Sequence, residues 1–308
     1  MTPFQERIHG VIPAILTPLN EDGTIDVAGT RRLVRRVIDG GCHGFVVLGT
    51  TGEFAGVDDD QRATMISTCV DEAAGKVPVI VGAGQPNVKR VREQLAQAAD
   101  LGADGALVNP PFYFQMTMDE VLGYFEGLVR SSRIPLMLYN IPSMTKIAVT
   151  APTLRKLADV GVQGTKDSSG DLNNLMQYLA AVKDVPDFRV VVGGDRYFLH
   201  ALFSGTCATT GMTPNLSPAL NLDIYNAWKS GDWQAAVAAQ NRCNEFLQAM
   251  MPLYPFHIAT GKAVLSGLGV MQRWVTAPKT AVPAGQVDGM VSALKAYLPE
   301  YSLVGAGA

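Results

Sequence analysis

Short, nearly unbroken apolar runs recur along the chain, and each is followed by a stretch with helical periodicity. The runs cover residues 11–19 (VIPAILTPL), 44–48 (GFVVL), 77–81 (VPVIV), 104–108, 134–139, 162–166, 188–193 and 206–210. Runs this short and this apolar are strands buried on both faces. The spacing predicts helices over 26–38, from Asp58 onward, and over 87–101, 118–131, 151–159, 172–183 and 196–204. Asp26 opens the first helix, which Gly40-Gly41 stops, and Asp58 starts the second, whose acidic first turn suits the helix dipole.

Strand and helix alternate throughout, which calls for parallel strands joined by right-handed crossovers. Eight such units within about 210 residues fit a (β/α)8 TIM barrel better than an open sheet. From Pro218 the pattern changes. Helices are predicted over 221–230, 233–250, 257–267 and 286–298, with no strand between them. The expected organisation is a barrel over 1–217 carrying the active site and a C-terminal helical extension over 218–308 packed on it, with residues 304–308 frayed.

Composition narrows the partners. A net charge of −3 and the lack of any basic run argue against nucleic acid and anionic membrane surfaces. No apolar run reaches the roughly 18 residues of a membrane span, and the start, MTPFQERIHG, lacks a signal-peptide pattern. Cys42, Cys69, Cys207 and Cys243 are scattered, as suits buried thiols in a reducing cytoplasm. His9, His43, His200 and His257 form no HxH or HxxxH pair, so no metal site is expected. The segment VIVGAGQPN has two glycines of a dinucleotide fingerprint, but Asn87 holds the third position.

In a barrel the chemistry gathers at the C-terminal ends of the strands. Strand two ends in Gly49-Thr50-Thr51-Gly52-Glu53, strand four in Asn109-Pro110-Pro111-Phe112-Tyr113, and strand five in Tyr139-Asn140. Strand six ends in Lys166-Asp167-Ser168-Ser169 and strand seven in Gly193-Gly194-Asp195-Arg196. A lone strand-end lysine commonly snorkels to solvent. Lys166 closes an apolar strand among small residues, with phenols and hydroxyls at neighbouring strand ends. An amine held out of water loses its proton more readily and can attack a carbonyl carbon to form a Schiff base.

LGTTGE, YNIPS and GTKDSSGD, in this order and spacing, resemble the dihydrodipicolinate synthase/N-acetylneuraminate lyase family of class I aldolases. The resemblance covers nearly the whole chain. It implies a Schiff base between Lys166 and a 2-oxo acid, usually pyruvate, with no metal and no cofactor. It implies that Tyr139 shuttles protons and that Thr50 and Thr51 bind the substrate carboxylate. Tyr113 matches a tyrosine donated across a tight dimer contact, although NPPFYF departs from the family's PYY pattern. The resemblance also implies a homotetramer built from two tight dimers, and Thr210, at the end of strand eight, joins the substrate-binding set.

Two departures bear on the substrate. Where true dihydrodipicolinate synthases carry an arginine that grips the aldehyde's carboxylate, this chain has Met144. Losing such a clamp costs on the order of 2–5 kcal/mol, which disfavours the synthase proper. The Asp195 position is shared with the neuraminate lyases, but the following residue is Arg196 rather than glutamate. Asp195 and Ser168 are therefore candidates for binding polyol hydroxyls, and Arg196 is either a helix-start arginine facing solvent, the favoured reading, or a clamp for a distal carboxylate. The reading is a lyase or aldolase acting on a 2-keto-3-deoxy sugar acid by retro-aldol cleavage or dehydration. The alternatives are the synthase itself and a non-catalytic protein that binds 2-oxo acids.

Overall fold

The computed structural model describes residues 3–298. Eight parallel strands form one sheet: β1 Gly10–Val11, β2 Phe45–Val47, β3 Val79–Ala83, β4 Gly105–Val108, β5 Leu136–Asn140, β6 Gly164–Asp167, β7 Arg189–Val192 and β8 Ala208–Thr209. The order β1-β8-β7-β6-β5-β4-β3-β2 leaves β1 and β2 at the two ends. A parallel bridge between Ala14 and Val46 joins those ends, with Ile15 N donating to Val46 O at 2.9 Å and Val46 N to Pro13 O at 2.8 Å. The sheet thereby curls into the TIM barrel that the alternation predicts.

The first apolar run makes only two ladder residues. Pro13 lacks an amide hydrogen, so regular pairing stops before it. Strand six sits slightly later than its apolar run suggests, over Gly164–Asp167, and so adds Asp167 after Lys166. The helices start where their caps stand. Asp26 accepts from Gly29 N, Asp58 from Gln61 N, and Thr117 forms a reciprocal capping box with Glu120. Two short helical turns, Pro142–Thr145 and Thr213–Leu216, escape the periodicity because four residues are too few to show one. The helix expected over 196–204 is a 3-10 turn, Asp195–Tyr197, followed by an α-helix, Phe198–Ser204.

The barrel interior is filled by inward side chains, among them Ile12, Val46, Ile80, Leu107, Met137 and Val191. Outward-facing strand residues pack under the helices in a second, larger cluster. The turn Thr213–Leu216, which leads into the C-terminal helices, is tied to the first strand run by buried polar contacts. Asn215 accepts from Leu16 N at 3.0 Å and donates to Ala14 O at 2.9 Å. The helix His257–Gly267 is buried along residues 258–265, and its Lys262 reaches the barrel. The expected helix over 286–298 is a 3-10 turn, Ala284–Gln286, then an α-helix, Val287–Leu294, then a 3-10 turn, Lys295–Tyr297. The fraying expected at 304–308 lies outside the described residues. Among the described residues no helix is long and apolar enough to cross a membrane.

Candidate active site

Lys166 and Tyr139 are Cα partners across β6 and β5, and the next pair in register is Asp167 with Asn140. Successive strand residues face opposite sides, so fixing one pair orients the other. Asp167 Oδ1 accepts from Asn140 Nδ2 at 2.7 Å and from Ser169 N at 3.2 Å, and Oδ2 accepts from Ser169 Oγ at 2.8 Å. This closed polar knot holds the end of β6 against β5. Lys166 is 6% exposed, and its Nζ stands 4.3 Å from the Tyr139 ring centroid. Among the described residues no carboxylate is ion-paired with it. Space for the amine comes from Gly193. A Cβ there would lie 2.9 Å from Lys166 Cε and 1.8 Å from Ser168 Oγ.

The Tyr139 hydroxyl and Thr50 Oγ1 are hydrogen-bonded at 3.1 Å, either serving as donor. Thr50 and the half-buried Thr51 sit on a turn bounded by two non-glycine residues in left-handed conformation, Leu48 at φ 55° and Glu53 at φ 55°. Such conformations persist only where the surroundings enforce them. Gly82 leaves room for the first, since a Cβ there would meet Leu48 O at 2.1 Å. Glu53 is held by its own side chain. Oε1 faces Lys262 Nζ at 2.5 Å as an ion pair, and Oε2 accepts from Thr276 N at 2.7 Å and Thr276 Oγ1 at 3.0 Å.

A cavity of about 530 Å³ opens over Thr50 and Tyr139. Its walls are largely apolar: Phe54, Phe112, Ile141, Met144, Phe256 and Ile258. Asn109, Thr145 and Thr276 add polar groups, and the exposed His257 and Lys279 stand among the lining residues. The His257 residue is exposed as a whole, but its ring is desolvated by the wall it lines, which holds the imidazole below its usual pKa. Lys166 and Thr210 border a much narrower gap in the barrel interior. The arrangement can bind a small anion at the threonine turn, attack a carbonyl from Lys166 and move a proton through the Tyr139–Thr50 pair.

Two residues assigned to the substrate by sequence are placed elsewhere. Asp195 is buried, and its carboxylate is occupied. Oδ2 accepts from Thr213 N at 3.1 Å and Thr213 Oγ1 at 2.6 Å, and Oδ1 accepts from Asn221 Nδ2 at 2.9 Å. It fastens the C-terminal helices to the barrel and has no place on the cavity wall. Arg196, one residue on, is exposed and also absent from that wall, so the reading of an exposed helix start holds. Tyr113 is 85% exposed at φ 89°, with its ring edge-on to the equally outlying Phe114 at 5.1 Å. Glu53, Lys262, Thr276, Asn140 and Asp167 were not singled out by the sequence. A lysine inside the apolar helical stretch IATGKAVL was the one available signal for Lys262. Among the described residues no three His, Cys, Asp or Glu side chains cluster as a metal site.

An eight-stranded α/β barrel with a buried strand-six lysine beside a tyrosine–threonine pair defines a class I, Schiff-base lyase. A model of the dihydrodipicolinate synthetase family matches residues 7–297, and the chain belongs to that family. It is 35% identical to a 4-hydroxy-tetrahydrodipicolinate synthase of Methanopyrus kandleri, over 80% of this chain and 81% of that one. It is 30% identical to the probable 2-dehydro-3-deoxy-D-pentonate aldolase YjhH of Escherichia coli, over 77% of this chain and 80% of that one. Among solved structures it resembles YagE, a prophage protein of the same family from E. coli K12 in complex with pyruvate. The TM-score is 0.89 and the identity 26%, covering 94% of this chain and 98% of that one.

Proposed function

We propose that Lys166 forms an imine with a 2-oxo acid and that the enzyme cleaves or dehydrates a 2-keto-3-deoxy sugar acid through it. The observation that carries this reading is the convergence of three residues at the C-terminal rim of the barrel, Lys166 and Tyr139 on adjacent strands and Thr50 reaching the Tyr139 hydroxyl from the end of β2. The amine attacks the C2 carbonyl, and the carbinolamine loses water to give a protonated imine. In the retro-aldol direction the C4 hydroxyl gives up its proton, the C3–C4 bond breaks, and its electron pair passes into the imine to form an enamine. An aldehyde leaves, C3 is protonated, and water releases pyruvate from Lys166. In dehydration a C3 proton is removed and the neighbouring hydroxyl departs as water. The Tyr139 hydroxyl, paired with Thr50 Oγ1, relays these protons. Hydroxyls and amides of the Thr50-Thr51 turn hold the substrate carboxylate. The imine itself is the electron sink, so the reading needs no cofactor.

Met144 on the cavity wall, in place of a carboxylate-gripping arginine, supports a sugar acid over the synthase substrate, and a relative named as a probable pentonate aldolase stands among the chain's matches beside relatives named as synthases. The apolar walls favour a short chain with few hydroxyls, which Asn109, Thr145 and Thr276 on the wall would bind, with Ser168, beside Gly193 and Lys166, off that wall. The exposed Tyr113 and Phe114 are consistent with a partner subunit covering them, in a homotetramer. Four free thiols suit a cytoplasmic enzyme. The test is a panel of 2-keto-3-deoxy pentonates and hexonates with product analysis. Pyruvate plus an aldehyde marks cleavage, and a 2,5-dioxo acid marks dehydration. Turnover of aspartate semialdehyde with pyruvate, and of no sugar acid, would instead favour the synthase.

A further inference from the structure

The pair Glu53–Lys262 lies outside the chemistry just described, yet it abuts it. Glu53 closes the turn that bears Thr50: Glu53 N donates to Thr50 O at 3.0 Å, and Thr17 Oγ1 donates to Gly52 O at 2.6 Å. The carboxylate of Glu53 is ion-paired with Lys262 Nζ through Oε1 and accepts from Thr276 N and Thr276 Oγ1 through Oε2, and all three groups come from the C-terminal region. Lys262 is fully buried, and its remaining reach is used on Trp274 O at 2.7 Å. Gly56 lets the two segments approach, since a Cβ there would meet Thr276 Oγ1 at 2.5 Å.

A buried ion pair is a poor source of stability. Desolvating both charges costs about as much as their attraction returns, and an apolar pair of equal volume often serves as well. Burial lowers the Lys262 pKa, and Glu53 opposes that fall. What the pair does supply is direction. It holds a residue in a left-handed conformation that its backbone would otherwise leave.

We propose that Glu53 and Lys262 are a positioning pair through which the C-terminal helices set Thr50 Oγ1 against the Tyr139 hydroxyl. This rests on the lyase reading, because the proton relay is what the pair would serve. A displacement of about 1 Å at such a relay costs on the order of 100-fold in rate. The substrate carboxylate, held by the same turn, is expected to bind more weakly as well but by less, and imine formation at Lys166, on β6, depends less on the turn.

The experiment compares wild type, Glu53→Gln, Lys262→Met and the double variant. Readouts are exchange of the C3 protons of pyruvate in deuterated water, borohydride adduct at Lys166, and thermal unfolding. Phe246→Leu, in the core of the helix Trp233–Met250, controls for general loosening of the C-terminal region. Each single change is expected to lower kcat for exchange roughly 10- to 100-fold, with a smaller change in KM and with the adduct retained. The double variant is expected to be no slower than the slower single one, since a pair acting as a unit is lost only once. Should Lys262→Met fail to fold, Glu53→Gln and the double variant carry the test. Exchange within twofold of wild type in Glu53→Gln, losses that add in the double variant, or an equal loss in Phe246→Leu would overturn the pair. A wild type that shows neither adduct nor exchange overturns the lyase reading itself.

Discussion

Lys166 Nζ lies 4.3 Å from the centroid of the Tyr139 ring, and the two residues are Cα partners across adjacent strands. The ring therefore shields the amine, while its hydroxyl points on to Thr50 Oγ1. Shielding and proton relay are separable. Tyr139→Phe keeps the ring and removes the hydroxyl. Turnover should fall about 100- to 1,000-fold while the borohydride adduct on Lys166 persists. Steady-state kinetics together with mass spectrometry read both quantities, and loss of the adduct along with turnover would mean the hydroxyl is needed for imine formation too.

Gly193 makes room for the nucleophile. An alanine Cβ would collide with Ser168 Oγ at 1.8 Å and crowd Lys166 Cε at 2.9 Å. Gly193→Ala should abolish adduct formation at a stability cost of about 1–3 kcal/mol, the usual range for overpacking. Trapping followed by urea titration measures the two effects side by side. Full adduct in this variant would show that the lysine sits elsewhere when it reacts.

Asp195 and Arg196 should divide sharply. Asp195→Ala strands the buried donors of Thr213 and Asn221 and should destabilise the fold by about 2–4 kcal/mol, leaving the order of preferred substrates unchanged. Arg196→Ala should change neither stability nor the preference between mono- and dicarboxylic substrates, as expected of an exposed residue off the cavity wall. Denaturant midpoints and a substrate panel decide both.

The barrel was legible because parallel strands buried on both faces leave short apolar runs that few other structures produce. Lys166, Tyr139 and Thr50 were legible as strand-end residues of one rim. The contacts of Asp195 with Thr213 and Asn221 left no local sign in the sequence, because only folding brings the segments after β8 near the end of β7. Lys262 was passed over for the same reason. Its partner Glu53 lies on the far side of the sequence, and no local periodicity links a helix interior to a distant turn. Arg196 carried no local sign of whether it faces the cavity or the solvent.

Met144 stands on the cavity wall near Ile141 and Thr145 of the same short turn. Met144→Arg would return a carboxylate-gripping cation to that wall. Condensation of pyruvate with aldehydes bearing a distal carboxylate should rise at least 10-fold relative to neutral aldehydes. Competition assays with the two aldehyde types give the ratio directly, and an unchanged ratio would remove Met144 from the determinants of specificity.

At the opposite end of the barrel, His43 Nδ1 accepts from Val11 N at 3.2 Å. The ring lies 4.7 Å from that of His9 and 5.1 Å from that of Tyr225. Burial, with help from His9 and Lys229, pushes its pKa down from 6.5 to about 4. Between those values the unfolded chain binds a proton that the folded chain does not, so stability falls as pH drops from about 6.5 toward 4. His43→Asn keeps an acceptor and removes the titration. Its unfolding temperature should fall less steeply than wild type over this range, and parallel curves would assign the acid sensitivity to other groups.

The imine at Lys166 is the centre of the account, and borohydride reduction in the presence of pyruvate tests it most directly. Peptide mapping should find one pyruvate-derived mass increase, on Lys166, that is absent from Lys166→Met. An adduct on another lysine, or none with pyruvate or any other 2-oxo acid, would contradict it.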